Sequence, residues 1–219
     1  MNKKEGAIQN TIGIILLLAE ADLDRMNVYA LLIQNSLINE ISQIESTSDP
    51  AESKAIPKGI SDIVEDQITE NLPITIWYSF FMYCYNLLEY RLNQICKLLY
   101  KYNKYKIALN DLDGKGIFRA RKYLEKVVGV CFPDNFSEWE EIVIYSKIRN
   151  VIVHNNGRID KENPDKKVIT YINAKTDIWL DDELDQINFN LKFIGDAIQN
   201  YRNFYKKLSA LLLTPPPPP

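Results

Sequence analysis

Apolar residues recur every three or four positions along most of the chain, and that period predicts helices. Ile12, Ile15, Leu16, Ala19, Leu23, Met26, Ala30, Ile33, Leu37, Ile41 and Ile44 mark one long helix, or a helix pair, over residues 7–45. Turn and linker chemistry follows over 46–60, with Asp49-Pro50 and Pro57-Lys58-Gly59, and a short helical stretch is expected over 61–70 before Pro73 interrupts the pattern. A long aromatic-rich helix is expected over 74–105, basic toward its end as the helix dipole favours. The loop Asn110–Gly114 leads into a helix over 115–128, stopped by Gly129, and Pro133-Asp134 marks another loop.

Ser137 with Glu140 three residues later has the form of a capping box opening a helix to His154 or Asn155, ended by Asn156-Gly157. Residues 158–180 are polar around Val168-Ile169-Thr170-Tyr171-Ile172, which reads as an extended excursion or small hairpin. Asp181 or Asp182 is expected to cap a last helix over 183–213, and Pro215–Pro219 form a polyproline tail. The chain therefore reads as all-α, a helical bundle. Residues 1–60 form an N-terminal helical extension and linker, 61–213 the main helical domain, and 214–219 the tail.

Composition narrows the function. The 219 residues are 46% hydrophobic and 25% charged, enough for one sizeable core or two small ones. The longest apolar run, Ile12–Ala19, is far shorter than the roughly 20 residues a membrane span needs. Lys3-Lys4 before it and Ala19-Glu20-Ala21 after it outline a secretory leader. However, Glu5, Gln9 and Asn10 interrupt it and the period continues past the cleavage point, so a buried helix is the better reading. Cys84, Cys96 and Cys131 form no CxxC pair, which predicts reduced thiols, a cytoplasmic location and no Cys/His zinc site. No cofactor is expected. One histidine rules out chemistry that needs two imidazoles, unless two chains share a site.

Charge is unevenly spread. Residues 1–90 carry a balance of −8, residues 91–126 of +7, and residues 127–219 of −2. A basic middle in an acidic chain has the outline of a phosphate-backbone footprint, and equally of a solvated face on two helices. Tyr78, Tyr85, Tyr100, Tyr102 and Tyr105 offer rings for base stacking, although helix packing accounts for most of them. Gly114-Lys115-Gly116 lacks the remainder of a phosphate-binding loop, and Asp181-Asp182-Glu183 is better explained as a cap than as a metal site.

The lone histidine lies in Ser146-Lys147-Ile148-Arg149-Asn150-Val151-Ile152-Val153-His154. At about 100° per residue, Ser146, Lys147, Arg149, Asn150 and His154 fall on a polar side, opposite Ile144, Ile148, Val151 and Ile152. A guanidinium is a permanent cation with a donor fork matched to phosphate, and an imidazole moves a proton near neutral pH. A cation and a proton carrier without a metal set suit RNA cleavage, where the 2′-hydroxyl supplies the nucleophile.

Arg149-Asn150-x-x-x-His154 resembles the R-x(4–6)-H motif of the HEPN superfamily (higher eukaryotes and prokaryotes nucleotide-binding). The surrounding order is also similar: Leu88-Glu89-Tyr90-Arg91-Leu92 on a long helix, a basic helix after Gly114-Lys115-Gly116, Trp139 before the motif helix and Asn155–Ile159 after it. The likeness spans roughly residues 74–213. It implies a HEPN-like bundle and a metal-independent endoribonuclease, a toxin or antiviral defence effector. It also implies a homodimer that pairs two motif helices, and an antitoxin or regulatory protein as a possible partner. On this likeness His154 acts as acid or base and Arg149 stabilises the phosphorane. Asn150 assists, and Glu89 orients or balances Arg149. Lys115, Arg119, Arg121, Lys122, Lys147 and Arg158 are the expected RNA-binding cations. Where one toxin subgroup carries a modifiable Tyr two residues after the His, this chain has Asn156. The alternative reading is a non-catalytic helical module that binds a nucleotide or a protein.

Overall fold

In a computed structural model that describes residues 3–47, 72–130, 132, 136–181 and 183–213, the long first period becomes one helix, α1 (Lys3–Thr47). Its buried edge runs Ile8, Ile12, Leu16, Ala19, Leu23, Met26, Ala30 and Leu37, at helical spacing throughout. α2 spans Leu72–Asn103, and Pro73 sits in its first turn, where a missing N–H costs no intrahelical bond. Lys104, with φ 54°, closes it. A 3-10 turn (Leu109–Asp111) precedes α3 (Gly116–Tyr123), which widens into a π-turn (Leu124–Val128) and stops at Gly129, with φ 79°. The 61–70 helix, most of the 46–60 linker, Pro133-Asp134 and the proline tail lie outside the described residues.

α4 spans Ser137–Asn155. Its entry differs from the expected capping box. The Phe136 carbonyl accepts from the Trp139 and Glu140 amides at 2.9 and 3.1 Å, while the Ser137 hydroxyl donates to Glu138 at 3.4 Å. The expected excursion over 158–180 keeps extended backbone only at its two ends, at Arg158 and Ile178–Leu180. Val168–Ile172 lie in a helix, α5 (Lys166–Asn173), because Asp165 caps it by accepting from the Lys167 and Val168 amides and the helix buries Val168 and Ile172 one turn apart. The hairpin strands are β1 (Ile178–Leu180), at the end of that stretch, and β2 (Ile187–Phe189), antiparallel with Ile178 opposite Phe189 and Leu180 opposite Ile187. Asp181 therefore caps no helix; its carboxylate accepts from the Glu183 and Leu184 amides in the hairpin turn. The last helix, α6 (Leu191–Leu213), is capped instead by Asn190, which accepts from the Lys192 and Phe193 amides at 3.0 and 3.3 Å. Among the described residues the fold is thus all-α with one two-stranded sheet, and no helix is long and apolar enough to cross a membrane.

The chain divides into two compact units. The first comprises Met1–Arg25, Tyr83–Ser146 and Ala197–Pro219. Its core joins Leu16 and Leu23 of α1, Leu88 to Leu99 of α2, Ile117 and Tyr123 of α3, Ile142 of α4 and Tyr201 to Leu208 of α6. Phe132, Trp139 and Phe204 form an aromatic cluster with ring centres 5.1 to 5.9 Å apart. A charge pair is buried here: Asp22 accepts from Arg91, whose Nε lies 2.9 Å away, with side-chain exposures of 6% and 12%. The second unit comprises Met26–Met82 and Lys147–Asp196. Phe81, Phe189 and Phe193 stack at 4.8 to 5.6 Å and join the hairpin to helices α2 and α6. Ile148, Ile152, Val168, Ile172, Ile178 and Ile187 complete that core.

Candidate functional site

The motif residues sit on the second half of α4, in the second unit. Ile148 and Ile152 point into the core, and His154 is exposed, as the helical angles require. Asn150 is exposed and Arg149 half-buried. Ser146, given the same polar side by its angle, is buried instead.

The arginines divide by their partners. Arg25, Arg91, Arg121 and Arg202 each hold a carboxylate. Among the described residues Arg119, Arg149 and Arg158 hold none. The Nη1 of Arg149 donates to the Asn150 side-chain oxygen at 3.0 Å, and its Nε is buried with no hydrogen-bond partner. A guanidinium held by a neutral amide keeps its full charge for an anion.

The end of α4 is fastened firmly. Asn156 and Gly157 take left-handed backbone, at φ 52° and 80°, and the Gly157 amide donates back to the Val151 carbonyl at 3.1 Å. The chain then pairs with β2: the Ile187 amide donates to the Gly157 carbonyl at 2.9 Å, and Arg158 bridges to Gln186. The Tyr78 hydroxyl donates to the Ile187 carbonyl. The ring of Tyr78 lies so close that a Cβ on Gly157 would stand 1.9 Å from its hydroxyl oxygen. Burial pushes the Tyr78 phenol up to about 12, against a smaller lowering by Gln186. This clamp sets where α4 ends and therefore where His154, three residues earlier, is presented. Gly157 reads as a helix stop in the sequence, but its contact with Tyr78, seventy-nine positions away, leaves no mark there. The Asn-Gly pair was the available signal.

The other expected cations divide by what holds them. Lys147 is paired with Asp165, so the α5 cap also ties α4 to α5. The Lys147 hydrogen bond and the Val168 and Lys167 amides hold the Asp165 carboxyl below its ordinary range. Arg158 is exposed in this unit. In the first unit, Arg121 is engaged by Glu125 at 2.8 Å and stacks over Phe132 and Trp139 at 5.1 and 5.3 Å. Lys115 and Lys122 are exposed, and Arg119 is half-buried with its Nε unpartnered. Glu89, on α2, lies against the start of α3, where a Cβ on Gly116 would meet its carboxylate at 3.0 Å. Among the described residues, no three His, Cys, Asp or Glu side chains cluster as a metal site requires. No protein-family model, curated protein or solved structure matches the chain.

Proposed function

We propose that this protein is a metal-independent endoribonuclease of the HEPN type, a toxin or antiviral defence effector. What supports the reading is one pairing on α4: Arg149, with no carboxylate partner among the described residues, shares a helix with the exposed His154. In this reading an RNA phosphodiester lies against α4. The 2′-oxygen attacks phosphorus as His154 takes its proton. The bond to the 5′-oxygen breaks, and that oxygen receives a proton from an imidazole, in keeping with a homodimer in which two motif helices share one site. Arg149 neutralises the charge that builds on the phosphorane, and Asn150 aims the guanidinium by accepting from its Nη1. Products end in a 2′,3′-cyclic phosphate and begin with a 5′-hydroxyl.

The test is cleavage of a labelled single-stranded RNA in EDTA. Cutting should persist, and a 2′-methoxy group at the cut site should abolish it. His154→Ala should lower the rate by roughly 10²–10⁴. Arg149→Ala should lower it by about 10²–10³. Both variants should keep the parent's circular dichroism, since neither side chain belongs to the core. Metal-dependent cutting with 5′-phosphate ends overturns the mechanism. A folded His154→Ala protein that cuts as well as the parent points to a binding module.

A further inference from the structure

Seven exposed lysines crowd the first unit between α2 and the π-turn: Lys97, Lys101, Lys104, Lys106, Lys115, Lys122 and Lys126. None has a carboxylate partner among the described residues. The segment's own acids offset them only in part: Glu125 is occupied by Arg121, which leaves Asp111 and Asp113.

The lysines form rows. On α2, Leu88, Leu92, Ile95 and Leu99 are buried, and Lys97 and Lys101 project from the opposite side, with Lys104 following at the helix end. On α3, Ile117, Ala120 and Leu124 are buried, and Lys115, Arg119, Lys122 and Lys126 follow at spacings of four, three and four on the far side. The two helices are packed together. The Cys96 thiol reaches the Ala120 carbonyl at 3.6 Å, and the Tyr105 and Tyr123 rings meet edge to face at 6.5 Å. Each row carries an exposed ring beside its cations, Tyr100 at 40% and Phe118 at 47%, with Tyr90 at 54% two turns before Lys97.

We infer that this α2–α3 surface is a docking track for the backbone of single-stranded RNA, made of residues other than the pair proposed for cleavage. Flexible ammonium groups about one helical turn apart follow phosphates without reading sequence, and exposed rings accept unpaired bases of any identity. Rings beside the cations suit stacking on unpaired bases, which favours a single-stranded polynucleotide. The choice of RNA over other single strands rests on the ribonuclease reading. The track takes in Lys115, Arg119 and Lys122 of the expected RNA-binding set and adds Lys97, Lys101, Lys104 and Lys126, while Arg121 and Lys147 each hold a carboxylate.

The test is fluorescence anisotropy of the full chain with a labelled, uncleavable 2′-methoxy single strand, repeated over a range of salt. Lys97→Gln/Lys101→Gln/Lys104→Gln and Lys115→Gln/Lys122→Gln/Lys126→Gln should each weaken binding at least tenfold. Each should flatten the logarithmic salt slope by about 2, at roughly 0.7 per neutralised phosphate. Tyr100→Ala/Phe118→Ala should weaken binding about tenfold with the slope unchanged. Triples that bind with the parent's affinity and slope overturn the track while leaving the ribonuclease reading intact. A parent that binds in this lysine-dependent way yet cuts no RNA overturns the ribonuclease reading and leaves the track standing. Lysine-dependent sedimentation with phosphatidylserine vesicles and no RNA binding assigns the surface to lipid and overturns the proposal.

Discussion

Replacing Gly157 by Ala should be among the most damaging single changes in the second unit. The added Cβ would stand 1.9 Å from the Tyr78 hydroxyl oxygen, 2.5 Å from Cζ and 2.7 Å from Cε2. The ring cannot swing aside freely, because Tyr78 is buried, donates to Ile187 and packs on Phe189 at 5.6 Å. Left-handed backbone costs an L side chain about 1–2 kcal/mol. Forcing the ring out of a packed core adds about 1–3 kcal/mol. A buried hydroxyl or carbonyl left unpaired adds about 1–3 kcal/mol more. Against a total stability of about 5–15 kcal/mol, such a loss should lower the melting temperature by roughly 10 °C or more. Thermal unfolding followed by circular dichroism measures it. Tyr78→Phe should rescue little, since Cζ still collides. Gly157→Ala/Tyr78→Ala should show a favourable coupling above about 1 kcal/mol relative to the sum of the single changes. A Gly157→Ala protein that melts within 2 °C of the parent, or full additivity in the cycle, would refute the clamp (a 2 °C shift is roughly 1 kcal/mol at this size).

Three other outcomes follow from the same geometry. Asp22→Ala should cost about 3–5 kcal/mol in urea unfolding, because it leaves the Arg91 charge buried without its carboxylate. The Asp165 carboxyl should titrate by NMR below its ordinary value, and Lys147→Met should move the midpoint up. With the folded value depressed, the stabilisation is present above the unfolded pKa and is lost as pH falls through the folded one. Cys84 and Cys96, whose thiols burial pushes up to about 12, should resist iodoacetamide at pH 8 in the folded protein and react once urea is added.

The helices that bury one clear edge were legible in the sequence, and the departures have local causes. Val168–Ile172 are β-branched and aromatic, which favours a strand in isolation, but the Asp165 cap and burial of Val168 and Ile172 outweigh that preference. β2 was hidden because Leu184, Ile187, Leu191, Ile194 and Ile198 keep helical spacing straight through it. α1 was ambiguous between one helix and two because it is apolar on several sides. Ile14 and Leu17 are exposed in the first unit, and Leu31 and Leu32 in the second. That Arg149 and His154 share one helix, with His154 exposed, was readable from the spacing of Ile148 and Ile152. The Tyr78 clamp and the neighbourhood of Glu89 depend on contacts between distant segments, which no periodicity encodes.

The closed end of α4 also governs how the molecule ages. In a loose chain, Asn-Gly loses ammonia readily, because the following amide nitrogen attacks the asparagine side chain and closes a succinimide ring. Here that nitrogen, on Gly157, is already donating to Val151, and the backbone on both sides of it is held. While the closure lasts, Asn156 is chemically protected. Each opening exposes it to a change that would leave a permanent carboxylate, or a β-linked backbone, two residues beyond His154. The fraction of isoaspartate at position 156 in stored protein is therefore a slow clock that counts how often this helix end comes undone.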